Sequence, residues 1–182
     1  MSQKNSKKDN TLAALLKDKP KRGRPPRQVS RQNVYVALSK SQRRQIKEMV
    51  KLLPEGLSRA DIPDMAVNLF SIRMELLREA VSGRNREIPE GITDLDSLYL
   101  LWDLPLHEKE EEVNWTSIRL SPQQVISLCR VNGILKALFG ATRSEVFGLA
   151  LAMLNQFLHE ELTGSPQSVE EINERMTVFY YE

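Results

Sequence analysis

The densest side-chain chemistry in the 182 residues is cationic. Lys21-Arg22-Gly23-Arg24-Pro25 sets one guanidinium on each side of a glycine. A guanidinium is a planar, permanently charged fork of donors that suits phosphates and base edges. Gly23 has no side chain to hold its backbone away from a surface, and Pro25 keeps the segment extended. This is the chemistry of recognition, not of bond making. The sequence has no Gly-rich loop closed by Lys-Ser/Thr, no Cys/His cluster and no nucleophile–base motif, and His107 and His159 stand alone. Neither an enzyme, a cofactor nor a bound metal is expected.

The charge that surrounds this motif is uneven. Residues 1–31 hold ten Lys/Arg against Asp9 and Asp18, a local excess of +8, and the remainder, with 16 basic and 22 acidic residues, carries −6. A basic arm on a mildly acidic body points to an anionic polymer, nucleic acid ahead of membrane. The arm has one short apolar patch (Leu12, Leu15, Leu16) and cannot bury enough surface to offset ordering entropy, so it is expected to be disordered when free. Cys129 is the only cysteine, which excludes an intrachain disulfide and fits a reducing compartment. No signal peptide or membrane span is legible, and a cytoplasmic, nucleoid-associated protein is expected.

Elements able to position recognition chemistry come from an internal repeat. Residues 33–80 and 115–162 share one grammar. Each begins with a short alternating strand, Val34-Tyr35-Val36-Ala37-Leu38 and Thr116-Ser117-Ile118-Arg119-Leu120. Each strand runs into a Ser-x-x-Gln capping box, Ser39 with Gln42 and Ser121 with Gln124. A first helix follows, with stripes Ile46, Met49, Val50, Leu53 and Val125, Leu128, Val131, Leu135. A turn leads to a second helix start, Ser58-Arg59-Ala60-Asp61 and Thr142-Arg143-Ser144-Glu145, and then to long apolar helices. Pro63 would sit inside the helix if Ser58 were its cap. A cap at Asp61 with Pro63 in the first turn is easier, and it shortens that helix by about one turn.

At these residues the sequence resembles the ribbon-helix-helix family of DNA-binding proteins, the group of Arc, MetJ and CopG, and its doubled form resembles TraY-type conjugation proteins. The resemblance covers about 50 residues twice. It implies a mainly α fold with a short antiparallel β-ribbon, built from two such units in tandem behind the arm. The expected division is arm 1–31, unit one 32–82, a linker with a short helix 83–113, unit two 114–164, and a C-terminal helix with an aromatic tail 165–182. One strand and two helices cannot close a core alone, but two units can. The units could pair within one chain or swap partners in a homodimer or higher assembly.

The resemblance also implies the site. A two-stranded ribbon fits the major groove, and alternation turns Asn33, Tyr35, Ala37, Ser117 and Arg119 outward with Trp115. Arg119 is suited to guanine, Asn33 to adenine, and Ala37 to a thymine methyl. Trp115 is left to packing or to a sugar-phosphate contact. In this family the start of the second helix clamps a phosphate, which assigns Ser58 and Arg59 in one unit and Thr142 and Arg143 in the other. Pro63 departs from that pattern. Arg43, Arg44, Lys47 and Lys51 supply either backbone charge or a solvated face.

Lys21, Arg22, Gly23, Arg24 and Pro25 resemble the AT-hook, a peptide that lies in the narrow minor groove of A·T tracts, where the negative potential is deepest. The combined expectation is a double-stranded DNA-binding transcriptional regulator, acting as a repressor. An accessory DNA-binding protein of a plasmid transfer or partition complex, or an antitoxin-like interaction module, stays open. In the last reading the linker helix (Leu98, Tyr99, Trp102) or the tail (Phe179, Tyr180, Tyr181) would grip a protein partner.

Overall fold

β-branched and aromatic side chains fit a pleated, half-buried surface, and they alternate with smaller or polar residues in two stretches. The computed structural model describes residues 30–84, 89–106, 112–160, 171, 174 and 175. Strand β1 (Gln32–Ser39) and strand β2 (Val113–Leu120) pair antiparallel as a two-stranded sheet. Both extend further toward their N-termini than the alternation predicts. The cross-strand register carries the pairing to both ends of the ladder, with Gln32 opposite Leu120 and Val113 opposite Ser39.

The other regular elements of the described residues are helical. Helix α1 (Lys40–Leu52) and helix α2 (Ile62–Val81) follow β1, and a single 3-10 turn, Ser82–Arg84, ends that run. Helix α3 (Leu95–Leu101) lies between the strands in sequence, and helices α4 (Pro122–Phe139) and α5 (Arg143–Glu160) follow β2. Ser39 and Gln42 form the expected reciprocal box, with Gln42 N donating to Ser39 Oγ at 3.1 Å and Ser39 N to Gln42 Oε1 at 3.0 Å. Ser121 forms only half of its box. Its Oγ accepts from Gln124 N at 3.4 Å, but its own amide donates to Asp64 Oδ1 of α2 at 2.8 Å. A tertiary acceptor has replaced the local one.

The second helices start unequally, as Pro63 predicts. Helix α5 begins one residue after Thr142, whereas α2 begins four after Ser58, with Asp61 at its N-cap and proline in its first turn. Gly140 closes α4 at φ 70°, a left-handed conformation that glycine adopts without steric cost.

Helices α2 and α5 carry the centre of the core. Phe70, Phe147, Phe157, Leu69, Leu149 and Leu151 are fully buried there. The inner ribbon face closes it with Val36, Leu38, Ile118 and Leu120 buried, and Val34 partly so. Leu98, Tyr99 and Trp102 pack onto the same core, and Trp102 meets Phe70 edge-on at 6.0 Å. The linker-helix face that a partner protein would have gripped is therefore occupied by the chain's own helices. Leu100, Leu101 and Leu106 are the apolar side chains left exposed in that segment.

No single helix among the described residues is long and apolar enough to cross a membrane. The hook at 21–25, the arm patch, His107 and the aromatic tail lie outside the described residues.

Candidate nucleic-acid interface

A ribbon packed on one face must present the alternate side chains on the other. Asn33, Tyr35, Trp115, Ser117 and Arg119 are exposed and Ala37 half-buried, the outward set expected from the alternation. The register arranges them in three cross-strand pairs: Asn33 with Arg119, Tyr35 with Ser117, and Ala37 with Trp115. Directly opposed side chains on one face are close enough to act together. One end of the face is thus a pair of long polar side chains with hydrogen-bonding heads. The other end is an indole beside a methyl group.

Tyr35 is 64% and Trp115 75% exposed. Two large aromatics standing open on one small ribbon form the kind of apolar surface that marks a contact site. Of the two readings left to Trp115, packing onto the body is excluded by this exposure.

Each second-helix start abuts the strand of the other run. From α5, Ser144 Oγ accepts the amide of Ala37 at 2.8 Å. From the approach to α2, Arg59 and Ala60 share a cavity with Thr116, Ser117, Ile118 and Arg119 of β2. The predicted phosphate residues therefore flank the ribbon on two sides. Their cap donors, however, are already bonded. Thr142 N and Oγ1 both donate to Glu145 Oε2 at 2.7 Å, and Ser58 N and Oγ donate to Asp61 Oδ2 at 2.8 and 2.7 Å. The side chains of Arg59 and Arg143, both exposed, are better placed to meet an outside anion than Ser58 or Thr142.

Composition assigned Arg31 to the arm. Instead it is an anchor of the fold, with its side chain 14% exposed. Its Nη2 lies 2.6 Å from Asp61 Oδ1 and 3.1 Å from Asp64 Oδ2, and its Nη1 donates to the carbonyl of Ala60. Asp64 in turn holds the Ser121 amide. This network joins the foot of β1, the start of α2 and the start of α4. Burial pushes the Asp61 carboxyl up, but hydrogen bonds from Ser58 and Arg31 outweigh it and hold the group below the ordinary carboxylate range. No local sequence signal marked this role.

On α1, Lys40, Arg44, Lys47 and Lys51 recur at i, i+4, i+7 and i+11, and all are exposed. Gln42, Ile46 and Met49 are the buried side of the same helix. Arg43 differs from that stripe, because it is half-buried and its Nη2 donates to Asn114 O at 2.8 Å.

No family model, no curated protein and no solved structure matches this chain. Among the described residues no group of three His, Cys, Asp or Glu side chains could hold a metal ion. The arrangement offers donor-rich and aromatic side chains on a narrow ribbon with arginines on both flanks.

Proposed function

We propose that this chain is a sequence-specific double-stranded DNA-binding regulator, acting as a repressor. It is built as two tandem ribbon-helix-helix units whose shared ribbon enters the major groove. The observation that carries this reading is the outward ribbon face, where Asn33 and Arg119 stand opposed and Tyr35 and Trp115 are exposed. A two-stranded ribbon fits the major groove, and arginine and asparagine are the side chains that bond guanine and adenine bidentately there. Arg59, Arg143 and the α1 stripe supply backbone charge, whose contribution falls as salt rises.

Both strands come from one chain, so two different side-chain sets meet the two halves of the site. The recognised sequence is therefore directional. Base-specific hydrogen bonds concentrate at the Asn33–Arg119 end, and apolar or shape-dependent contacts concentrate at the Ala37–Trp115 end. The hook formed by Lys21, Arg22, Gly23, Arg24 and Pro25 reads an A·T-rich minor groove beside the first of these ends, because Arg31 fixes the base of the arm there. A folded reader and a tethered hook on one duplex raise affinity through effective concentration.

Selection of bound fragments from random DNA tests the proposal. It is expected to return a non-palindromic core with an A·T-rich flank on one side only. Enrichment of strictly symmetric sites with identical halves, or no enrichment, contradicts it.

A further inference from the structure

A cavity of about 450 Å³ opens between β2, α1 and the start of α2. Its size lies within the range of small-molecule sites. Its lining combines two chemistries. Ile46 and Ile118, each 7% exposed, and the half-buried Pro63 give it an apolar side, and Arg43, Arg59 and Arg119 add three guanidiniums. No acidic side chain is among its lining residues. Arg59 and Arg119 have no hydrogen bond or ion pair to any described residue. Arg43 keeps its Nε–H buried without an acceptor. A buried donor left unpaired is costly, so the Arg43 guanidinium is not fully satisfied by its bond to Asn114 O.

We infer that this cavity binds a small amphipathic organic anion, an aromatic carboxylate or sulfonate. The apolar body lies against Ile46, Ile118 and Pro63 and the acid group meets the arginines. This apolar side decides against inorganic phosphate or a DNA phosphate as the cognate occupant, since neither has an apolar part to bury. The inference does not depend on the DNA reading. If that reading also holds, the ligand engages Arg119 and Arg59 and so competes with DNA, which makes the cavity an effector site.

The test titrates the full chain with anilinonaphthalene sulfonate, an aromatic anion that fluoresces on entering an apolar site. Naphthoate and inorganic phosphate serve as competitors. Arg59 is exposed and holds no described partner, so Arg59→Ala leaves the fold intact, and Arg143→Ala at the start of α5 is the matched control. Saturable binding is expected, displaced by naphthoate but not by phosphate. It should weaken about ten-fold in Arg59→Ala, the loss of one charge-assisted hydrogen bond, and stay unchanged in Arg143→Ala. Absence of saturable binding, or equal losses in the two variants, overturns the inference. A duplex-binding assay with naphthoate present then reads the coupling. If the unliganded chain fails to bind any duplex, the DNA reading falls and the cavity assignment stands on the fluorescence titration.

Discussion

Tyr35 and Ser117 face each other across the ribbon, each three residues before the leucine that ends its strand's alternation. Equivalent positions of the two strands therefore meet at the middle of the sheet. On either side the pairs are reciprocal, with Asn33 against Arg119 and Ala37 against Trp115. The arrangement is that of a local two-fold axis carried by unlike residues. One chain thus presents a complete ribbon, and it differs at its two ends.

The Arg31 network predicts a pH-dependent stability. Asp61 is held below the ordinary carboxylate range in the folded state. Its contribution is thus fully present above the unfolded carboxylate value, near about 3.9, and is lost as pH falls through the lower folded value. Arg31→Met is expected to cost about 1–2 kcal/mol at neutral pH, a partly buried charge-assisted bond. Urea unfolding at neutral pH and near pH 3 checks this. The wild-type advantage should shrink at the acid end, and an equal or larger gap there would speak against Asp61 as the partner that matters.

Trp102 docks the short linker helix by its edge-on contact with Phe70. Trp102→Ala is expected to lower stability by about 3–5 kcal/mol, the usual cost of deleting a buried aromatic. Denaturant midpoints measure it. A loss under about 1 kcal/mol would mean that α3 is only loosely attached to the core.

The hook predicts a context-dependent loss. Arg22→Ala combined with Arg24→Ala should weaken binding chiefly at sites with A·T-rich flanks and flatten the salt dependence by about two units. Anisotropy titrations on duplexes with A·T-rich and G·C-rich flanks separate the effects. Equal weakening on both would reduce the hook to a nonspecific basic tail.

What was legible in the sequence was what is local. Alternation sorted the ribbon faces, the Ser39–Gln42 box closes as its spacing requires, and Pro63 delays α2. Charge composition placed Arg31 in the arm because its carboxylate partner lies 30 residues away. The Ser121 amide finds Asp64 across 57 residues, and the Ala37 amide finds Ser144 across 107. Local patterns carry no trace of such bonds. Spacing located the second-helix starts, but not that Asp61 and Glu145 turn back to occupy the donors of Ser58 and Thr142.

The central claim is that the outward ribbon face reads DNA, and Arg119 tests it most directly, because the side chain is exposed and its removal leaves the core untouched. Competition binding of wild type and Arg119→Ala against a selected duplex and its single-base variants is the measurement. The account predicts a loss of about 1–3 kcal/mol confined to one base pair, with relaxed specificity there and an unchanged denaturant midpoint. Unchanged affinity and unchanged base preference at every position would contradict it.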